Sequence, residues 1–131
     1  MRIRHTAATA AATMLLALTT ACTSSSDNGD TAKPAAPKYE ITHQDDTGNQ
    51  REVVVEVETT KNLEAVFEDV AGKLDDEAGY FVLINCTSGG AKAADNRLAN
   101  GRVAVGKMGA ASTGMNEGDR EFEPVKGATC P

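Results

Sequence analysis

The first 21 residues limit what this chain can fold into, because they have the features of a segment that is removed. Arg2 and Arg4 precede a charge-free run over residues 6–21 that ends in small residues. A basic start, an apolar middle and small residues before the cut are typical of a secretory signal peptide. The run is shorter than the about 20 apolar residues that a membrane-spanning helix needs. We therefore expect residues 1–21 to be cleaved on export, which leaves 110 residues for one small domain.

Cys22 stands immediately after the expected cut, behind Leu18-Thr19-Thr20-Ala21. This junction resembles the lipobox of bacterial lipoproteins, whose cysteine is lipidated and becomes the mature N-terminus. The lipobox usually has leucine three residues before the cysteine, where this chain has Thr19. The resemblance implies acyl chains on Cys22, and two or three of them anchor stably because each buried methylene contributes about 0.8 kcal/mol. It implies an exported protein on the outer face of the cell membrane. The alternative is an ordinary signal peptide with an incidental cysteine.

Two further cysteines, Cys86 and Cys130, remain once Cys22 carries lipid. An even number of cysteines in an exported chain favours a disulfide. Closing a loop of about 45 residues stabilises a domain by about 4 kcal/mol in the chain-entropy model. The alternative is that Cys86 is a reactive thiol.

The mature chain is acidic. Cleavage removes two arginines and no acidic residue, so the formal charge changes from −6 to −8. Such a surface repels nucleic acid, and we expect no nucleic-acid partner. His43 is the single histidine left after cleavage, and the acidic groups lack the spacing of a calcium loop. We therefore expect no metal and no cofactor.

Composition divides the mature chain into two parts. Residues 22–38 comprise Cys22 and a segment rich in Ser, Asp, Ala and Pro, which predicts a disordered tether. The folded domain is expected over 39–131.

The first half of this domain shows clear periodicity. Apolar residues alternate with polar ones on both sides of the turn-rich segment 45–49, which predicts a β-hairpin with Tyr39, Ile41 and His43 on one face of its first strand. Between residues 63 and 74 the apolar spacing becomes helical. The continuous apolar run 80–84 then predicts a central strand.

The second half is less regular. Asn100-Gly101 between short apolar runs predicts a type I′ hairpin. Residues 106–120 contain four glycines and little periodicity, which indicates a loop, and 121–123 predict a short last strand ending at Pro124. The expected order is β-β-α-β-β-β. This order predicts an α+β two-layer sandwich, with one helix packed on a mostly antiparallel sheet.

The segments 80–90 and 95–106, behind an Ala/Thr-rich signal and a Ser-rich tether, resemble those of small secreted lipoproteins of high-GC, actinobacterial type. These proteins end in a domain with a second cysteine. The resemblance covers nearly the whole chain. It implies a location and a fold but no established activity.

Four residues are candidates for a contact site. Arg97 and Arg102 flank the Asn-Gly pair and form a small basic spot on an acidic domain. Gly89 and Gly90 belong to a glycine-rich turn, and the backbone N–H groups of such a turn are expected to form an anion-binding nest. We expect these residues to contact an envelope or extracellular protein, or a small ligand.

The function that fits this set is a membrane-anchored, non-catalytic binding or interaction module. Two alternatives remain open. One is a small thiol-dependent hydrolase that uses Cys86 and His43. The other is a purely structural envelope lipoprotein.

Overall fold

The computed structural model describes residues 33–87 and 96–130. The described residues form the elements β1 (Tyr39–Gln44), β2 (Gln50–Val57), α1 (Leu63–Ala71), β3 (Gly79–Cys86), β4 (Arg97–Ala104), α2 (Gly106–Thr113) and β5 (Arg120–Pro124). The strands form one sheet in the order β1-β2-β3-β4-β5. All neighbours are antiparallel except β2 and β3, which are parallel. With α1 packed on this sheet, the predicted α+β two-layer class is confirmed, and α2 is an additional helix.

β1 and β2 form the predicted hairpin around residues 45–49. Ile41 pairs with Val55, but the register then shifts at a β-bulge, and His43 pairs with Val54. Val55 is fully buried on the α1 side, whereas Val54 is partly exposed on the other side. Because a bulge sets two residues opposite one, it changes the face to which the next side chain belongs. The prediction that His43 shares a face with Ile41 is therefore wrong.

Helix α1 connects the two parallel strands β2 and β3. Parallel neighbours need a crossover connection, and this helix provides it. The predicted apolar stripe packs on the sheet, where Val66, Phe67 and Val70 are almost completely buried. Gly72 ends the helix and donates its N–H to the Glu68 carbonyl. The alternate residues of the strands that complete this core are Val53, Val55, Val57, Tyr80, Val82 and Ile84.

The predicted Asn100-Gly101 hairpin is wrong, because both residues lie in the middle of β4. Gly101 pairs with Val82 on one side and with Phe122 on the other. A Cβ at position 101 would overlap the Phe67 ring. Glycine therefore serves a close approach between the strand and α1, and not a turn.

Residues 106–113, predicted as loop, form the helix α2. A Cβ at Gly109 would lie 2.5 Å from the Ala78 carbonyl oxygen and 2.8 Å from the Ala104 carbonyl carbon. The helix thus packs through a glycine directly against backbone. Such packing needs no apolar stripe, which explains why the periodicity of this segment is weak.

The last segment follows the prediction. β5 includes residues 121–123 and ends at Pro124. Beyond it, Cys130 forms the expected disulfide with Cys86, with the two Cα atoms 5.5 Å apart. Cys86 is buried in the core, and Cys130 packs against that core. The disulfide therefore ties the C-terminal segment to the end of β3.

The segment before β1 also contacts the domain. Within residues 33–38, assigned above to the tether, Lys33 Nζ lies 3.4 Å from Glu68 Oε2 on α1. Ala36 packs against the core. None of the helices in the described ranges has the length and apolar character needed to cross a bilayer.

Candidate functional site

One face of the sheet is covered by α1, and the other face is partly exposed. We call this second face the open face and define it by residues Glu52, Val54, Glu56, Phe81, Leu83, Asn85, Arg97, Asn100, Arg102, Glu121 and Glu123. Helix α2 contacts one end of it, where Arg102 donates to the Thr113 carbonyl and Gln50 to the Ser112 carbonyl. The aliphatic and aromatic side chains of Val54, Phe81 and Leu83 remain partly exposed between charged ones.

The strand register arranges the open face in three rows. The rows, each running across neighbouring strands, are Glu56-Asn85-Arg97, Val54-Leu83-Asn100-Glu123 and Glu52-Phe81-Arg102-Glu121. Along β2 and β3 successive rows lie two residues apart, which corresponds to about 7 Å, whereas on β4 the register shift places Arg97 three residues from Asn100. The middle row places apolar side chains between two rows that each contain an arginine and a glutamate.

Two grooves lie on the open face and share Leu83. The first has a volume of about 460 Å³ and is lined by residues that include His43, Glu52, Val54, Glu56, Asn85 and Arg97. The second has a volume of about 340 Å³, and its lining includes Phe81, Arg102, Glu121 and Glu123. Volumes of about 300–1,000 Å³ are typical of small-molecule sites.

Arg97 is held in the first groove by two amide side chains. Its Nε donates to Asn85 Oδ1 at 2.7 Å, and its NH1 donates to Asn100 Oδ1 at 2.8 Å. Both acceptors are neutral. The guanidinium is therefore fixed in orientation while its charge is not neutralised by a carboxylate among the residues described.

Arg102 lies five residues further along β4 and has a different environment. It forms an ion pair with Glu121 on β5, its neighbour in the same row. Its side chain is 43% exposed. Ion pairs with this exposure contribute about 0–1 kcal/mol, so the pair sets the direction of Arg102 more than the stability of the sheet.

His43 stands at the β1 side of the first groove. Its Nε2 lies 3.0 Å from Asp45 Oδ1. The pKa of the Asp45 carboxyl is below its ordinary value, because Asp45 accepts the Glu52 backbone N–H and contacts His43. Asp45 thus stays ionised at neutral pH and orients the imidazole at the rim of the groove.

Cys86 also borders this groove, but its side chain belongs to the buried core on the α1 side and is bonded to Cys130. His43 lies on the opposite side of the sheet. A nucleophilic thiol and its base must be within hydrogen-bond reach of each other. The fold therefore does not assemble the Cys86–His43 pair that the thiol-hydrolase alternative requires.

A second polar cluster lies on the α1 side. Lys73 Nζ donates to the Tyr39 hydroxyl at 2.6 Å and to Asp69 Oδ2 at 2.9 Å. Hydrogen bonds to Tyr39 and Asp69 raise the pKa of Lys73, while burial first and then the Asp69 hydrogen bond raise the pKa of Tyr39. A lysine and a tyrosine with raised pKa values keep their protons at neutral pH, and the cluster links β1 to α1.

The structure places the predicted contact residues as follows. Arg97 and Arg102 both lie on the open face, in neighbouring grooves. Cys22, Gly89 and Gly90 lie outside the described residues. Within residues 33–87 and 96–130, no group of three or more His, Cys, Asp or Glu side chains is arranged to hold a metal ion.

The sequence interpretation missed Glu56 and Leu83 as members of the site. A signal for the missing face exists in Val53-Val54-Val55, because three successive valines on a half-buried strand must place one of them away from the core. Comparison with protein-family models, with curated proteins and with solved structures found no match.

Proposed function

We propose that this protein is an exported lipoprotein, anchored through Cys22 to the outer face of the cell membrane, whose folded domain is a non-catalytic binding module. Its contact surface is the open face. The observation that carries the binding role is the partly exposed pair Val54 and Leu83, which lies in the row between the rows of Arg97 and Arg102 and lines a groove. A concave surface that combines apolar side chains with a few charged groups is typical of a binding site.

The signal-like N-terminus and the disulfide support the location. A Cys86–Cys130 bond persists in an oxidising compartment, which is where an exported domain resides. The resemblance to actinobacterial-type lipoproteins belongs to the same proposal.

Anchoring is tested by expressing the full chain in a bacterium that processes lipoproteins. We expect the wild-type protein in the membrane fraction, with an N-terminal peptide that carries acylated Cys22 by mass spectrometry. The Cys22→Ala variant should lose both the acyl mass and the membrane association. An unmodified Cys22 in a soluble wild-type protein would contradict the anchor.

Binding through the open face is tested with a photo-crosslinking side chain at position 83. The matched control carries the same side chain at position 64, on the exposed side of α1. We expect an adduct of defined mass from position 83 only. Equal adducts from both positions, or none from position 83, would contradict the proposal that the open face is the contact surface. Adducts from neither position, in cells where loss of Cys22 has a phenotype, would instead favour the structural lipoprotein.

A further inference from the structure

Arg97 differs from the other arginines of the described residues in its partners. Arg51 pairs with Asp76, and the remaining two, Arg102 and Arg120, pair with Glu121 and Glu68. Arg97 has only the neutral oxygens of Asn85 and Asn100 within residues 33–87 and 96–130. The chain has 19 acidic and 13 basic residues, so carboxylates are abundant, yet none of those in residues 33–87 and 96–130 pairs with this guanidinium.

The two amide contacts leave part of the guanidinium for a ligand. Nε and NH1 donate to the asparagines, whereas NH2 donates to no group among the described residues. A guanidinium offers five N–H donors in a planar fork, and a carboxylate accepts two parallel bonds from it. Because both asparagines accept through Oδ1, their amide N–H groups remain as further donors beside Arg97. The Arg97 side of the groove therefore suits a carboxylate.

The opposite side of the same groove carries negative charge. Glu56 on β2 aligns with Asn85, and Asn85 aligns with Arg97. Glu56 is thus two strands from Arg97 in one row, about 10 Å from backbone to backbone. Glu56 forms no ion pair within the described ranges, and Glu52 lines the same groove. This side suits an ammonium group.

Val54 and Leu83 line the same groove in the neighbouring row, beside the row that carries these two charges. The groove of about 460 Å³ thus combines a guanidinium, a carboxylate and an apolar surface, and this combination matches one class of small molecule. We infer that the groove binds a zwitterion of the α-amino-acid type with an apolar side chain. Arg97 holds its carboxylate, Glu56 holds its ammonium, and the apolar side chain rests on Leu83. This inference rests on the proposed binding function and names the ligand class.

The test is a calorimetric titration of the purified full chain, with its disulfide intact, against L-leucine, L-leucinamide and N-acetyl-L-leucine. Leucinamide lacks the carboxylate, and N-acetyl-leucine lacks the ammonium. We expect saturable binding of leucine, and binding about 10-fold to 100-fold weaker for each of the other two, since charge-assisted hydrogen bonds are the strong ones. Equal affinity for the three compounds, or no heat with leucine at millimolar concentration, would overturn the inference.

Three variants assign the contacts. Arg97→Gln should weaken leucine binding about 10-fold or more and leave leucinamide binding unchanged, because that compound has no carboxylate to lose. Glu56→Gln should weaken leucine and leave N-acetyl-leucine unchanged. The matched control Arg120→Gln, whose side chain pairs with Glu68 on the α1 side and is not part of the open face, should bind leucine as the wild type does. Arg97→Lys keeps the charge but lacks the planar fork, and it replaces Arg97→Gln in this test if that variant does not fold.

The two proposals fail differently. If leucine does not bind but position 83 still gives a specific adduct, the zwitterion site is wrong and the binding module stands. If leucine binds and Arg97→Gln has no effect, the site lies elsewhere and the Arg97 assignment is wrong.

Discussion

Gly101 of β4 lies directly beneath the ring of Phe67 of α1, with no room for a Cβ between the strand and the helix. The ring also lies 5.6 Å from the Phe122 ring on β5, centroid to centroid. One glycine therefore sets how closely α1 approaches the sheet, and α1 in turn covers one face, while the other face remains partly exposed.

Gly101→Ala should lower the free energy of unfolding by about 1–3 kcal/mol, because the added methyl overlaps a ring that is itself packed in the core. Urea denaturation measures this. Gly72→Ala is the matched control. Gly72 has a helical φ of −68°, and its Cβ would meet only ordinary contacts, the nearest at 3.4 Å. A change of less than about 0.5 kcal/mol is expected there. Equal effects for the two variants would contradict the packing described.

Leu83 and Ile84 are neighbours in sequence but lie on opposite faces of β3. Ile84 has 0% exposure in the core, whereas Leu83 is partly exposed on the open face. Ile84→Ala should cost about 2–5 kcal/mol through cavity formation. Leu83→Ala should cost less than half of that, since no layer covers it. Comparable losses in urea denaturation would show that Leu83 is covered in solution.

The Cys86–Cys130 bond should stabilise the domain by about 4 kcal/mol through the loop of 44 residues that it closes. We expect Cys130→Ser to lower the unfolding free energy by roughly this amount. Mass spectrometry after alkylation provides the chemical check: both cysteines should be labelled only after reduction. Rapid labelling of Cys86 without reduction would revive the thiol-enzyme alternative.

Glu68 should give the domain part of its pH dependence. Burial acts to raise the pKa of Glu68, but hydrogen bonds from Arg120 and Lys33 outweigh burial and hold this pKa below its ordinary value of 4.5. The stabilisation is therefore present above pH 4.5 and is lost as the pH falls through the lower folded-state pKa. Its size is at most about 1 kcal/mol, because the ion pairs are partly exposed.

Glu68→Gln should accordingly flatten the loss of stability below pH 4.5, measured by urea denaturation at several pH values. Glu58→Gln serves as control, because Glu58 is exposed and has no ion pair within the described ranges. If both variants lose stability below pH 4.5 as steeply as the wild type does, Glu68 is not the group responsible.

The elements that the sequence predicts correctly are those in which the spacing of apolar residues matches the side-chain period of the strand or helix they form. β2, α1, β3 and β5 have that match, β1 has it only as far as the bulge after Ile41, and the even cysteine count predicts the disulfide. Gly101 and Gly109 caused the errors. A glycine that admits a neighbouring ring or backbone and a glycine that makes a turn are identical in sequence, so the sequence pattern predicts a hairpin in place of β4 and a loop in place of α2.

The site was only partly predictable for a different reason. The sequence predicts a basic spot at Arg97 and Arg102 but places it on a hairpin, whereas both residues lie on the single strand β4. Their row partners depend on the strand register, and that register shifts at bulges between Ile41 and His43 and between Ile84 and Asn85. A bulge inserts one residue without any compositional signal, so the relation of Glu56 to Arg97 appears only in three dimensions.

The start of the sheet at Tyr39 limits how far from a membrane this domain can work. With Cys22 lipidated as proposed, 17 residue steps separate the anchor from the first residue of β1. A fully extended chain of that length spans at most about 60 Å. Anything that the open face binds must therefore come within a few nanometres of the bilayer surface, so the domain would sample the zone next to the membrane rather than the wider exterior.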